Sequence, residues 1–326
     1  QDVEPGQAVV GSFFVRWADA NGLGATQSLF LLNIFVTALT ACVVFWIVRV
    51  LRFQTETAAL AAISYGVATM AWPYAQTYFR DPLAALMLAC AYLCFELAFH
   101  SQTFGVSETP KVLPAVNRIE KRSGAVFWRA LTVVFLAAGV FVKSTVAVAI
   151  PVLFAVAMLR SSRKRIAPTL VAGAALALAA LLLARLSPPD SALRRFSWDY
   201  LSFLFDFFLR APRHAFGEAM LGPLVSPGKS LFLYSPILIL AIPSTLIAWK
   251  TRWRQFSAPW LILLALIFAQ ALFYDDEWAG RVNWGLRFLL PAVPLLAVLC
   301  APALELILNT RSNIVRVVSW VLIAVS

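Results

Sequence analysis

The residues of this sequence that could do chemistry are charged side chains next to long apolar runs. A carboxylate can take a proton from a hydroxyl group, and Asp81, in the segment YFRDP at 78–82, is the candidate for that role. Lysine and arginine can bind an anion, and the candidates are Lys143, Lys229 and Arg287. Each has a structural alternative, because an aspartate can cap a helix and a lysine can extend from a span to the membrane surface. Each signal is weak alone, but Asp81, Lys143, Lys229 and Arg287 come from separate segments of the chain that are predicted to share one face.

The densest group of charge lies just before Arg287. It consists of Asp275, Asp276, Glu277, Trp278, Arg281 and Trp284. Three adjacent acids could hold a divalent cation or bind sugar hydroxyls, and tryptophan rings can stack on sugar rings. A solvated acidic loop with aromatic anchors at the membrane surface is the alternative. The group is therefore a candidate for substrate binding, and a divalent cation is a candidate cofactor.

The segment SPGKSLFLYSP at 226–236 contains a third set of candidates. Its PGKS core does not fit a nucleotide phosphate loop, because the spacing counted from Gly222 requires a glycine where Pro227 stands, and no strand precedes it. A looser interpretation remains, in which Lys229 and the amides of a helix start bind an anion, with Tyr234 nearby. A turn where the chain enters the membrane, with an extended lysine, is the alternative.

The elements that must position these residues are apolar runs. Ten can be read, at 27–48, 57–72, 82–99, 126–142, 145–159, 166–184, 231–249, 258–274, 288–306 and 313–326. A helix needs about 20 residues to cross a bilayer core. Hydrophobic residues make up 61% of the chain and charged residues only 13%, and no charge lies near the middle of a run. The sequence predicts an all-α, polytopic membrane bundle of about ten helices whose chemistry occurs at a membrane face.

The distribution of basic residues predicts which face. Most of the 27 basic residues lie in the loops near 49–52, 111–129, 160–165, 250–254 and 311–316. The positive-inside rule assigns those loops to the cytoplasm. The other segments, 1–26, 73–81, 187–230, 275–287 and the turn at Lys143, then face outward with all the candidate residues. The net charge of +11 is thus a sorting signal, and no nucleic-acid partner is expected.

Two outward segments are predicted to contain amphipathic helices that contact lipid. Residues 1–26 carry Val9, Val10, Phe13, Phe14 and Trp17 at helical spacing. The long loop at 187–230 combines a polar stripe with aromatic residues between 196 and 208, for which an ordinary aromatic belt is the alternative. We expect a single domain over 1–326, truncated at both ends.

Five segments of the sequence resemble bacterial membrane glycosyltransferases of the GT-C superfamily. In chain order they are EPGQAVVGSFF, YFRDPLAALMLA, GVFVKSTVAVAIPVL, VSPGKSLFLYSPILIL and NWGLRFLLPAVPLL. The resemblance implies an all-helical enzyme that takes a sugar from a polyprenyl-phosphate donor. It assigns Asp81 to the second acidic position of the family and Lys143 to a lysine turn near the donor phosphate. It also implies that the first span and the first outer loop, which carries the general base, are missing here, so this fragment alone would be inactive.

The resulting hypothesis is a glycosyltransferase that inverts at the anomeric carbon. It would lie in the bacterial cytoplasmic membrane among lipids, with its active site on the outer face. The acceptor, whether protein, lipid or glycan, is unknown. Two alternatives stay open: a transporter or flippase of lipid-linked sugars, and a non-catalytic membrane subunit.

Overall fold

The computed structural model describes residues 6–100, 116–160, 216–274 and 286–310, and the regular structure in these ranges is helical throughout. The first part contains α1 Gly6–Ala20, α2 Ala25–Val50, α3 Thr55–Val67, α4 Ala71–Ala75, α5 Asp81–His100, α6 Val116–Val142 and α7 Ala149–Arg160. The second part contains α8 Phe216–Val225, α9 Leu231–Tyr234, α10 Ala241–Tyr274, α11 Val293–Leu299 and α12 Ala301–Asn309. Three 3-10 helices, Ser144–Val148, Pro236–Leu240 and Arg287–Ala292, lead into α7, α10 and α11.

Five helical segments in the described ranges are long and apolar enough to cross a membrane. They are Ala25–Val50, Asp81–Phe99, Gly124–Val142, Pro236–Leu272 and Arg287–Asn309. The prediction of an all-helical membrane protein is therefore supported, whereas the predicted number of ten spans is not established. Two of the predicted runs, 166–184 and 313–326, lie outside the described residues, as does the predicted aromatic helix at 196–208.

The predicted run at 57–72 differs from the structure, because α3 ends at Val67 and a separate short helix, α4, follows. The Thr69 hydroxyl donates to the carbonyl oxygen of Tyr65 at 2.6 Å and accepts from the Ala71 amide at 3.1 Å. The Met70 amide donates to the Ser235 hydroxyl at 2.9 Å. Side-chain oxygens thus bond backbone groups at this break, which is how serine and threonine compete with a continuous helix.

Helix α10 is not straight. The Trp260 indole N–H donates to the Thr245 hydroxyl at 2.7 Å. In a straight helix fifteen residues would separate these positions by about 22 Å along the axis. The chain must therefore reverse between them, so that the predicted runs 231–249 and 258–274 lie side by side with basic residues 250–254 at the bend.

Basic residues from three segments gather at one end of the bundle, which we call the basic end (Arg49, Arg160, Arg252 and Arg254). Arg49 donates to the Phe53 carbonyl oxygen at 2.6 Å, and the Arg252 guanidinium lies 4.3 Å from the centre of the Phe53 ring. Arg160 donates to the Arg254 carbonyl oxygen at 2.8 Å. Residues that the charge pattern assigned to one face therefore do lie together, while the assignment of that face to the cytoplasm stays a prediction.

Helix α5 connects the basic end to the opposite end of the bundle. It packs against α2, α6 and the 3-10 helix at Arg287–Ala292, and its Leu88 and Tyr92 are completely buried. Near its last turn the buried Glu96 pairs with Arg160 at 2.7 Å. Its first residue is Asp81, about 22 Å away at the rise of an α-helix. We call the end near Asp81 the site end.

Helix α1 confirms the helix predicted within residues 1–26. Val9, Phe13 and Trp17 form an exposed apolar stripe, with Phe13 64% exposed. On the opposite side α1 packs closely against the end of α6, because a Cβ atom added to Gly6 would come within 2.7 Å of the Val142 Cα atom. The glycine therefore allows α1 to contact the end of α6 closely, with the apolar stripe turned outward.

We expect the Glu96–Arg160 pair to hold α5, α7 and the bend of α10 together. Glu96→Gln should lower the free energy of unfolding by about 3 kcal/mol, because it leaves a buried arginine without its counter-charge. The measurement is thermal or denaturant unfolding of the protein in detergent. Glu305→Gln is the control at the same end, because Glu305 accepts only an exposed bond from the Gln54 amide. Equal stability of the two variants would contradict the assignment.

Candidate functional site

Three segments that are far apart in sequence enclose a cavity at the site end. The cavity has a volume of about 350 Å³. Its lining residues are Phe79, Arg80, Asp81, Lys143, Ser144, Thr145, Arg287 and Phe288. The predicted residues Asp81, Lys143 and Arg287 are thus brought together, each from a different helical hairpin.

Each of the three segments is the start of a helix. Helix α5 begins at Asp81, the 3-10 helix leading into α7 begins at Ser144, and the one leading into α11 begins at Arg287. The first amides of a helix lack intrahelical acceptors, and the helix dipole places positive partial charge there. Three helix starts around one cavity therefore add to the positive potential of its side chains.

Asp81 and Lys143 form a buried ion pair in the cavity wall. They are only 4% and 6% exposed, and Lys143 Nζ donates to Asp81 Oδ1. Arg287 Nε lies 3.7 Å from Asp81 Oδ2. Both carboxylate oxygens therefore face cations. The geometry favours Asp81 as the group that holds the two cations, while its predicted role as a proton acceptor stays a prediction.

Aromatic rings fix the direction of Arg287. The centre of its guanidinium lies 4.5 Å from the Phe79 ring centre and 5.1 Å from that of Phe288. Lys143 Nζ lies 5.2 Å from the Phe288 ring centre. Cation–π contacts of this kind keep a guanidinium in place and leave its edge available for hydrogen bonds.

The described part of the chain leaves some hydrogen-bonding groups of the cavity without a partner. Arg287 Nε and Thr145 Oγ1 are buried and have no hydrogen-bond partner among the described residues. Among the lining residues that the structure describes, Arg80, Lys143 and Arg287 carry three positive charges and Asp81 carries one negative charge. Buried donors and a positive balance are the features that favour an anionic ligand.

Tyr74 lies beside this cluster and is buried, with its ring centre 5.9 Å from that of Phe79. Burial raises the pKa of the Tyr74 hydroxyl, and the negative charge of Asp81 raises it further, while Arg287 acts in the opposite direction. The hydroxyl therefore remains protonated at neutral pH.

Local packing explains why Lys143 lies at the tip of its hairpin. Its amide donates to the Gly139 carbonyl oxygen at 2.8 Å, and its own carbonyl oxygen accepts from the Val146 amide at 3.0 Å. A Cβ atom on Gly139 would come within 2.8 Å of a Val146 methyl carbon and 3.2 Å of Met87 Cβ. Glycine thus lets α6, α5 and the segment after Lys143 pack closely.

Lys229 and Tyr234 are not part of this cavity. Their segment forms a turn between α8 and α9, in which the Ser230 hydroxyl donates to the Leu224 carbonyl oxygen at 2.6 Å and the Tyr234 hydroxyl donates to that of Gly228 at 3.1 Å. Burial lowers the pKa of the Lys229 ammonium group. The predicted anion site at this turn stays a prediction that is separate from the cavity.

The acidic group lies outside the described residues. It comprises Asp275, Asp276, Glu277, Trp278, Arg281 and Trp284. Among the described side chains no group of three metal-ligating residues occurs. The proposed divalent cation therefore stays a prediction for this segment.

Several lining residues did not follow from the sequence. Ser144 and Thr145 directly follow Lys143, and Phe79 and Arg80 precede Asp81, so adjacency to a candidate was the available signal. Asn33 was also missed, although it is an amide inside an apolar run and bonds to the loop that carries Phe79. A polar residue in such a run needs a partner, and this is the signal that could have identified it.

We expect Asp81 and Lys143 to be energetically coupled in the folded protein. Asp81→Asn and Lys143→Met should each destabilise it, but the double variant should be more stable than the sum of the two effects predicts, by about 1–3 kcal/mol. Denaturant unfolding of the four proteins measures this coupling. The matched cycle of Asp81→Asn with Lys229→Met should show additive effects, and equal coupling in both cycles would argue against the pair.

Comparison with known proteins supplies no relative for this chain. No family model, curated protein or solved structure matches it. The resemblance to GT-C glycosyltransferases therefore stays a hypothesis based on five sequence segments, and the cavity has to be interpreted from its own residues.

Proposed function

We propose that this protein is an integral membrane glycosyltransferase that takes a sugar from a polyprenyl-phosphate donor. The observation that carries the proposal is the positively charged cavity at the site end, with Lys143, Arg287 and Arg80 in its wall. The donor combines a phosphate with a long apolar chain. A bundle of apolar helices with a cationic cavity at one end suits both parts of such a molecule.

The cations would act on the phosphate that leaves. In the transfer, the bond between the anomeric carbon and a phosphate oxygen breaks, and the electron pair stays on that oxygen. Lys143 and the buried donors Arg287 Nε and Thr145 Oγ1 would stabilise the charge that develops there. The acceptor hydroxyl attacks the anomeric carbon from the other side and gives its proton to a carboxylate.

Asp81 has a first role that follows from its contacts. Because its two oxygens face Lys143 and Arg287, it would hold both cations in place before the phosphate arrives. In the GT-C enzymes that the sequence resembles, the main general base is a carboxylate of the first outer loop. Proton transfer to Asp81 itself remains the alternative within this proposal.

The proposed location is a bacterial cytoplasmic membrane with the site end outside. The basic end, about 22 Å away along α5, would then face the cytoplasm according to the positive-inside rule. Large exposed apolar side chains, including Phe35, Trp46 and Phe268, would contact lipid in this arrangement.

Binding of a short prenyl phosphate tests the phosphate assignment. Farnesyl monophosphate should bind to the purified protein in detergent, and farnesol, which lacks the phosphate, should bind much more weakly. Lys143→Met and Arg287→Met should each weaken binding by about 10- to 100-fold, because each removes a charge-assisted hydrogen bond. Isothermal titration measures both.

The matched control for net charge is Lys250→Met. Lys250 is an exposed lysine at the bend of α10, near the basic end. Its loss should leave binding of farnesyl monophosphate unchanged. If this variant weakens binding as much as Lys143→Met does, the effect is a general one of charge and the cavity is not the binding site.

A transfer assay separates the enzyme from a flippase. In cell membranes that contain the native protein and its acceptor, Asp81→Asn should reduce release of farnesyl phosphate from added farnesyl-phosphate-linked mannose at least about 100-fold, because the cations lose their anchor or the reaction loses its base. A flippase would release no farnesyl phosphate in either form and would keep moving the lipid across vesicle membranes. Thr37→Val, a buried change one turn away from the loop contacts of α2, is a control that should retain transfer.

A further inference from the structure

Asn33 is a buried amide in an apolar helix, and its hydrogen bonds lead toward the cavity. It lies two turns inside α2 and is completely buried. Its side-chain nitrogen donates to the carbonyl oxygens of Thr77 at 2.6 Å and of Phe79 at 2.8 Å. Its side-chain oxygen accepts a hydrogen bond from the side-chain nitrogen of Gln7 at 3.4 Å. All of these partners belong to other segments of the chain.

These bonds restrict the loop before α5. A buried amide is costly in an apolar environment unless its donors and acceptor are satisfied. Backbone carbonyl groups in an irregular loop have the same need. Because one side-chain nitrogen bonds two carbonyl groups of the loop, the amide and residues 77–79 satisfy one another in a single arrangement.

The restricted loop carries two parts of the cavity. The Phe79 ring supports the Arg287 guanidinium at 4.5 Å, and Asp81, two residues further on, pairs with Lys143. A shift of the loop would therefore move the surface against which Arg287 lies. It would also move the Asp81 carboxylate, which lies between Lys143 and Arg287.

Helix α1 also contacts the loop before α5. The Tyr78 hydroxyl donates to the Gln7 carbonyl oxygen at 3.1 Å. The neighbouring Gly6 contacts the end of α6 at Val142, directly before Lys143. The first turn of α1 thus contacts both the loop that carries Phe79 and the hairpin that carries Lys143.

We propose that Asn33 is a positioning residue for the phosphate cavity, which it holds in its binding geometry through Phe79 and Arg287. The inference rests on the proposed function, because it assigns Asn33 to the same site. Asn33 itself does not line the cavity, so its effect on a ligand must pass through the loop.

The test is binding of farnesyl monophosphate to the purified protein. Asn33→Leu removes the amide at similar size, and affinity should fall about tenfold, because two hydrogen bonds that orient the loop are lost. Asn33→Gln keeps an amide on a longer side chain and should lose less. Thr37→Val is the matched control, since Thr37 is buried one turn further along α2 and its hydroxyl has no hydrogen-bond partner among the described residues. It should bind like the wild type.

A double variant tests the route. If Asn33 acts through Phe79, Asn33→Leu combined with Phe79→Leu should bind no more weakly than Phe79→Leu alone. Additive losses would mean that Asn33 acts on the protein in some other way. Unfolding temperatures of all variants, measured in the same detergent, show whether a loss of affinity merely follows a loss of stability.

The possible outcomes separate this inference from the proposed function. If the wild type does not bind farnesyl monophosphate, both are wrong. If the wild type binds and the folded Asn33→Leu variant binds equally well, or if Asn33→Gln loses as much affinity as Asn33→Leu, the positioning role is wrong and the proposed function stands. If neither Asn33 variant folds, Asn33 is required for the fold as a whole, and the inference is overturned as well.

Discussion

The structure depends on one carboxylate that two cations share. Asp81 is buried, and each of its oxygens faces a positive charge from a different hairpin, Lys143 on one side and Arg287 on the other. A buried charge without a partner costs several kcal/mol, so neither Asp81 nor Lys143 is stable in this position alone. The cavity is therefore a product of tertiary packing. It exists only when α5, the Lys143 hairpin and the segment before α11 are all in place.

Helix α5 makes the two ends of the molecule interdependent. It carries a buried acid near each end, Asp81 and Glu96, and each pairs with a basic residue from a neighbouring hairpin. Between them lie mainly apolar residues, including the buried Leu88 and Tyr92. The polar interactions are thus confined to the two ends, where a membrane protein can solvate or pair charges, and the middle is held by apolar packing. A helix fixed at both ends in this way gives the cavity a rigid support.

Sequence patterns identified three of the eight residues that line the cavity, because charges in an apolar chain must lie at the ends of spans. This constraint selected Asp81, Lys143 and Arg287 from widely separated segments. The same constraint could not exclude Lys229, because it predicts only the membrane face on which a residue lies. Whether the residue also lines the cavity depends on how its own turn packs. The break after Val67 was beyond a reading of apolar runs, since side-chain hydrogen bonds at Thr69 mark it. The reversal of α10, by contrast, lies between two runs that the basic residues 250–254 already separate in the sequence. Asn33 was missed because a single amide in a long apolar run gives no periodic pattern.

The charge of the cavity bears on how the proposed reaction would be accelerated. A sugar linked to a polyprenyl phosphate is a phosphate diester with one negative charge, whereas the departing polyprenyl phosphate is a monoester whose charge approaches two at neutral pH, by analogy with other phosphate monoesters. The lining of Arg80, Lys143, Arg287 and Asp81 has a net charge of two positive. It therefore complements the leaving phosphate better than the bound donor. An enzyme gains rate only from interactions that strengthen as the transition state forms, and a cavity matched to the leaving group has this property. The ion pair with Asp81 would add to this acceleration, because it keeps Lys143 and Arg287 oriented before the second negative charge develops on the phosphate.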